Sequence, residues 1–347
     1  MKKKIKFLAF IVFAVIIWLS FSNFKKEKPK ETLNLTLKGT NIITLKSDEK
    51  YKEPGFEATY GNVDLTKNVQ IEGKVENKEG TYELIYKIKY GKTKAEAHRF
   101  VKVQKPKEII YKSTYDNIDN TSRGWWSGNK KDGSRPAGGA DINELKKYNA
   151  YFLGPNTKTL YLTFDEGGNE TYVKEIVDVL NQNNVKATFF FCLHYMKSNE
   201  ELVAKIAKDG HTIGNHTATH LNMPSLATSE NFKKYLEEIT LIEQEYKKIT
   251  GKEMEKVYRD PRGEWSYRDL QIMKDLGYRA YFYSADYQDF KEKSTKEKAL
   301  AELSKRIHNG AIYLIHPKNK GNYLALDSFI KEAKKQGYTF DLVKNIK

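Results

Sequence analysis

Three of the chain's seven histidines fall in one polar, threonine-rich stretch, HTIGNHTATH, from His211 to His220. A packed core would place valine or leucine there, so the imidazoles point toward chemistry. If TATH winds one helical turn, His216 and His220 stand at i and i+4 and share a face. With a carboxylate oxygen they make a two-histidine, one-carboxylate metal site that keeps positions open for water. Taken alone, an H-x-x-x-H pair more often reflects capping or hydrogen bonding than metal binding. His211, ahead of Ile213 and Gly214, reads as structural. Other ionisable residues collect where apolar runs stop. TLYLTF leads into Asp165 and Glu166, VYR ends on Arg259, RAYFYS is followed by Asp286 and Asp289, and AIYLIH ends on His316.

A divalent cation polarises a carbonyl and lowers the pKa of water. Amide hydrolysis then needs a base for the water, an acid for the leaving amine, and a group to hold the base. Asp165 can serve as the base, with Arg259 pinning it through a bidentate fork. His316 can serve as the acid, with Asp289 orienting it and raising its basicity. The chain has no H-E-x-x-H, no G-x-S-x-G, no P-loop and no dinucleotide fingerprint, which removes support for zincin proteases, serine hydrolases and nucleotide enzymes. The single cysteine, Cys192, sits in the apolar run ATFFFCL and reads as a buried, inert thiol.

The elements that must position these groups follow from the pattern. From Leu145 onward seven β-type runs alternate with helical runs: TLYLTF, KATFFF, HTIGNH, VYR, RAYFYS, AIYLIH and YTFDLV. This order predicts an α/β fold with a parallel sheet, most simply a distorted (β/α) barrel, whose active sites lie at the carboxyl ends of strands. Residues 31–105 read differently. Short β-branched and aromatic runs separated by turn signals predict an all-β, immunoglobulin-like sandwich that carries no chemistry. Residues 106–144 read as a linker and lead-in, and 145–347 as the catalytic domain. In the lead-in, Trp125 and Trp126 either pack on the flank of the next domain or help line a sugar groove.

At the N-terminus, MKKKIKF and the uncharged run at residues 7–21 predict that residues 1–30 are an export signal or membrane anchor, with the remainder outside the cytoplasmic membrane. The net charge of +15 comes mostly from lysine spread along all 347 residues. It suits anionic polymers such as a cell wall, and without a basic block beside stacking aromatics it does not favour nucleic acid.

The motifs together resemble the polysaccharide deacetylases of the NodB-homology class, carbohydrate esterase family 4. TFDEG at 163–167, HTATH at 216–220, RDPRG at 259–263, SADYQDF at 284–290 and LIHP at 314–317 stand in that family's order. The lead-in, GWWSGNKKDGSRPAGG through YFLG and KTLYLTFD, resembles the branch that makes muramic δ-lactam in spore peptidoglycan. So does Arg262, where many relatives hold tyrosine. The resemblance implies a NodB-type barrel and de-N-acetylation of N-acetylmuramic acid in a peptidoglycan strand whose peptide stem an amidase has removed. It implies Asp165 as base held by Arg259, His316 as acid held by Asp289, and Glu166, His216 and His220 as ligands of a divalent metal, zinc first, with cobalt or manganese as alternatives. Glu166 departs from the family's usual aspartate by one methylene. Gly167, Arg262 and Trp265 are candidates for substrate contact; for Trp265, stacking on a sugar and core packing are equal alternatives. The rival readings are an N-acetylglucosamine deacetylase of the same family and a non-catalytic wall-binding protein. The expected oligomeric state is monomeric.

Overall fold

The computed structural model describes residues 32–347 apart from 48, 106–107, 131, 167–171 and 291–293. The apolar segment at 7–21 and Gly167 lie outside the described residues. Among the described residues no helix is long and apolar enough to cross a membrane. The chain divides into two compact units between Ile109 and Ile110.

The first unit is built from strands β1 (Leu33–Leu37), β2 (Ile42–Lys46), β3 (Phe56–Tyr60), β4 (Val63–Asp64), β5 (Gln70–Glu72), β6 (Gly80–Tyr90) and β7 (Thr93–Gln104). One sheet has the order β1-β3-β4 and the other β2-β7-β6-β5. Alternation of apolar and polar residues gives each long strand one buried face, so Leu84, Tyr86, Val101 and Val103 meet in the core. The β6–β7 hairpin closes from Tyr90 opposite Thr93, with Gly91 at φ +60 supplying the backbone that a two-residue turn requires. Arg99 is fully buried here. It pairs with Glu53 and donates to the Lys38 carbonyl at 2.6 Å, so its charge is matched.

The second unit contains β8 (Arg123–Gly124), β9 (Ala150–Tyr151), β10 (Thr159–Glu166), β11 (Thr188–Phe191), β12 (Thr212–Asn215), β13 (Val257–Tyr258), β14 (Glu264–Trp265), β15 (Arg279–Tyr281), β16 (Ile312–Ile315) and β17 (Thr339–Phe340). Its helices are α1 (Ile142–Lys147), α2 (Val173–Gln182), α3 (Leu193–Ser198), α4 (Glu200–Lys208), α5 (Met223–Leu226), α6 (Phe232–Thr250), α7 (Tyr267–Asp275), α8 (Lys296–Ser304) and α9 (Lys320–Lys335). The main sheet is parallel, in the order β16-β10-β11-β12-β13-β15-β9, with β17 added beside β10. β10 and β11 are apolar on both faces because helices cover one side and the curled sheet the other. Two isolated bridges, Leu153 to Ala311 and Ala285 to Tyr313, bring the far edge round to β16 and nearly close the barrel. The sequence pattern missed β9, which is only two residues long and carries no alternation.

Helix ends obey their local chemistry. Ser266 caps α7 by accepting the Asp269 N–H, and α6 stops at Gly251, whose φ of +70 suits glycine. The stretch read as a lead-in belongs to this second unit from Ile110 onward. Tyr115 and Trp125 are buried in its core, Trp125 stacks on Phe282 at 4.3 Å between ring centroids, and β8 pairs antiparallel with β14.

Candidate active site

The carboxyl ends of β10, β12, β13 and β16 deliver Asp165, Glu166, His216, Arg259 and His316 to one cleft of about 410 Å³, which His220, Asp260, Arg262, Tyr283 and Phe290 also line. A second lobe of about 450 Å³ shares Asp165, Glu166, His220, Phe290 and His316 and runs toward His194 and Lys318. The strand-end clustering expected from the sequence is therefore present in space.

Asp165 ends a strand whose neighbours hold it in place. Arg259 Nη1 donates to Asp165 Oδ1 at 2.7 Å and to Thr163 Oγ1 at 2.7 Å. The rest of the guanidinium is occupied: Nε donates to the Tyr281 carbonyl at 2.7 Å and Nη2 to the Phe282 carbonyl at 3.3 Å. The bidentate fork expected from the sequence is thus a single contact, because backbone carbonyls of the strand next door claim the other donors. Arg259 is buried and lies over the Phe190 ring at 4.2 Å, an orientation that leaves Asp165 Oδ2 facing the cleft histidines.

His216 and His220 do meet, their rings edge-to-face at 4.9 Å, but through a bend rather than the helical turn expected. Thr217 at φ +65 and His220 at φ +61 occupy the left-handed region, which is costly for a β-branched threonine. Neighbouring groups over-determine this loop. The Thr217 N–H donates to Asn215 Oδ1 at 2.9 Å and the His220 N–H to Thr217 Oγ1 at 3.0 Å. Glu238, buried on α6, accepts from the Thr219 N–H at 2.7 Å and the Thr219 hydroxyl at 2.6 Å.

The imidazoles are held in the form that binds metal. His216 Nδ1 lies 2.9 Å from the Arg259 carbonyl, so it carries the proton and leaves the Nε2 lone pair toward the cleft, 3.8 Å from Asp165 Oδ2. Burial holds the His216 pKa below its ordinary value against the pull of Asp165. Burial, then the neighbouring His216, pushes His220 down to about 4. Both rings are therefore neutral near neutral pH, as a divalent ion requires. This donor chemistry fits a zinc-type ion. Glu166 lines the same cleft as the two histidines, and among the described residues no three His, Cys, Asp or Glu side chains form a ready metal cluster.

His316 is held by Asp289 twice, and Asp289 is itself buried and braced by Asn322, whose Nδ2 donates to Oδ2 at 2.7 Å. Burial alone would pull the His316 pKa down. The hydrogen bond and charge of Asp289, with Asp165 and Glu166 beyond, outweigh it and keep the imidazole above its usual value. Phe290 stands edge-on to the His316 ring at 5.6 Å.

Arg262 sits exposed at the rim, its backbone at φ +58, with Nη2 donating to the His220 carbonyl at 3.3 Å. Of the two alternatives for Trp265, core packing is the one found: it is 1% exposed and packs edge-on to Tyr267 at 5.1 Å, so it is not placed to stack on a sugar. Asp286 holds Asn129, whose Nδ2 donates to it at 3.0 Å, and His211 is a buried structural residue that accepts the Ala187 N–H at 3.1 Å. Cys192 is buried, its thiol donating to the His216 carbonyl at 3.3 Å and pushed up to about 12 by burial. Thr163, Asn215, Glu238 and Asn322 escaped the sequence reading. Only Thr163 and Asn215 lay within or beside a recognisable motif.

The catalytic half matches the polysaccharide deacetylase family model over residues 153–281, and residues 35–103 match a bacterial surface protein Ig-like domain. Peptidoglycan-N-acetylmuramic acid deacetylase PdaA of Bacillus subtilis is 39% identical over 61% of this chain and 80% of its own length. The chain belongs to carbohydrate esterase family 4. The solved structure of Bacillus subtilis PdaA, titled as a member of this family, overlays with a TM-score of 0.62 at 34% identity, covering 66% of this chain and 98% of that one. A peptidoglycan-N-acetylglucosamine deacetylase of Bacillus cereus is 30% identical over 55% of this chain and 89% of its own length. As a family 4 esterase, the protein is an extracytoplasmic de-N-acetylase of peptidoglycan or a related aminosugar polymer, close to the PdaA branch, in a family associated with metal-dependent deacetylation.

Proposed function

We propose that this enzyme removes the acetyl group from N-acetylmuramic acid in peptidoglycan strands whose stem peptides have been stripped, the step that precedes muramic δ-lactam formation in spore cortex. The observation that carries the reading is the Arg262 guanidinium on the rim of the cleft that holds Asp165 and His316. A stem-free muramic acid carries a lactyl carboxylate; N-acetylglucosamine carries none. A planar guanidinium is suited to bind that carboxylate. The 39% identity to PdaA, whose name states that substrate, supports the same reading.

In this mechanism His216 and His220, with the Glu166 carboxylate, would hold a divalent ion, zinc by preference, which would supply Lewis-acid polarisation of the acetyl carbonyl. Asp165 takes the proton from the attacking water, while Arg259 keeps the carboxylate aimed. His316, charged with help from Asp289, gives its proton to the departing sugar nitrogen. Water and amide are thereby converted to acetate and a free amine. That amine and the lactyl carboxylate hang from one ring, so their effective concentration favours lactam closure. The immunoglobulin-like unit serves as a wall-contacting spacer, and residues 1–30 as the export signal or anchor.

Acetate release tests the proposal. Stem-free muramyl glycan should yield acetate, and Asp165→Asn should abolish the yield. Release only from glucosamine residues would replace this reading with the glucosamine one.

A further inference from the structure

Beside the cleft, two adjacent tryptophans have opposite fates. Trp125 is 7% exposed and Trp126 is 60% exposed. Leaving an indole in water forfeits a large apolar burial. Yet Trp126 is firmly seated. A Cβ on Gly128 would stand 2.9 Å from its six-membered ring, and one on Gly139 would stand 3.2 Å from Cδ1, so two glycines cradle the ring edges. Gly139 also lines a shallow, solvent-open depression of about 630 Å³, with Arg135, Asp141 and Phe152 among its walls. The segment continues directly from the active cleft. The Trp125 N–H donates to the Gly263 carbonyl at 2.7 Å, its Nε1 donates to the Tyr283 carbonyl at 2.9 Å, and both Gly263 and Tyr283 line that cleft.

We infer that Trp126 is a stacking platform for a pyranose ring of the glycan strand, one or more sugars away from the residue being deacetylated. A flat apolar face with a polar edge suits the C–H face of a sugar ringed by hydroxyls. The cleft accommodates a short piece of polymer, and a strand running past Gly263 passes over this indole next. Holding the ring on glycines presents the face without an ordering cost at binding. The inference rests on the chain acting on an aminosugar polymer and is indifferent to which sugar loses acetate.

The test compares KM on long and short substrates of one composition, using whichever glycan releases acetate: strands of many disaccharides against a single disaccharide. Trp126→Ala should raise KM for long strands roughly five- to tenfold relative to the disaccharide. Trp126→Phe should restore most of the difference, which separates lost stacking from misfolding. In Asp165→Asn protein, long strands should quench tryptophan fluorescence, and Trp126→Phe should remove that quench. Equal changes in KM for both lengths, or none, would overturn the platform. Failure of muramic acid specificity would alter the sugar that yields acetate and leave the length ratio intact.

Discussion

Asp289 grips His316 at two points: Oδ1 lies 2.7 Å from the ring Nδ1, and Oδ2 accepts the His316 backbone N–H at 2.7 Å. The first contact places the Nδ1 proton and leaves Nε2 to work in the cleft. The second ties the ring to its own backbone, so that the orientation of the acid is set by one buried carboxylate. An acid is lost as pH rises through its pKa. With His316 held above its usual 6.5, the alkaline limb of kcat/KM should lie above that value. Asp289→Asn keeps the shape and removes the charge. It should move that limb toward acid and lower kcat by about 10²- to 10⁴-fold. An unmoved alkaline limb in the variant would mean another group is the acid.

Arg259 has four acceptors, of which Asp165 is one. Arg259→Lys cannot satisfy Tyr281, Phe282, Thr163 and Asp165 together. Activity should fall by about two orders of magnitude and the melting temperature should fall as well, because buried carbonyls lose their donors, at about 1–3 kcal/mol each. Asp165→Asn should remove activity while sparing most of the stability. Activity and thermal melts of the two variants side by side distinguish a residue that holds both site and fold from one that acts on substrate.

The histidine loop depends on Glu238, which never reaches the cleft. Glu238→Ala frees Thr219 from both its contacts and should let Thr217 and His220 relax from the left-handed region. Metal affinity, read by competition with a chromogenic chelator, should weaken about 10- to 100-fold. Chelator treatment of the parent enzyme should abolish acetate release, and added zinc should restore it. A Glu238→Ala protein that binds zinc as tightly as the parent would show that the loop holds its shape unaided.

Behind Arg259, Asp260 and Asp269 are both buried neighbours, with Tyr258 and Tyr235 donating to them at 3.0 and 2.6 Å. Neither Oδ2 has a donor, and one proton shared between the two carboxyls would satisfy both. Burial, then the charge of Asp269, holds Asp260 well above the usual carboxylate range. The unfolded chain gives up this proton near the ordinary value of 3.8, and the folded chain keeps it. Stability from this pair is therefore present at low pH and declines as pH rises toward the folded pKa. Asp260→Asn does not titrate there. Its melting temperature relative to the parent should climb between about pH 4 and pH 8. A difference that is flat across that range would mean the two carboxyls share no proton.

Much of this could be read from the residues. TLYLTFDE and KATFFF announced buried parallel strands because both faces are apolar, and ionisable groups at strand ends announced the cleft. What remained hidden has particular causes. A two-residue strand such as Ala150–Tyr151 has no period to detect. The turn at Thr217 runs against threonine's own backbone preference and exists only because Asn215 and Glu238 hold it. The single-contact geometry of Arg259 depends on carbonyls supplied by β15 and the residue after it, which are remote in the chain. Trp265 and Trp126 could not be told apart by type: one is enclosed by Tyr267 and Phe282, the other stands in water.

The near-closure of the barrel by two lone bridges divides the molecule's tolerances unequally. Asp165 and His316 extend from β10 and β16, which are joined by a four-residue register from Tyr161 opposite Ile312 to Phe164 opposite Ile315. Tyr283 and the loop that meets Trp125 follow β15, on the opposite side of a gap that the Leu153–Ala311 and Ala285–Tyr313 bridges span. The spacing between proton acceptor and proton donor is thus clamped by a continuous ladder, and the facing wall is tied on by shorter contacts.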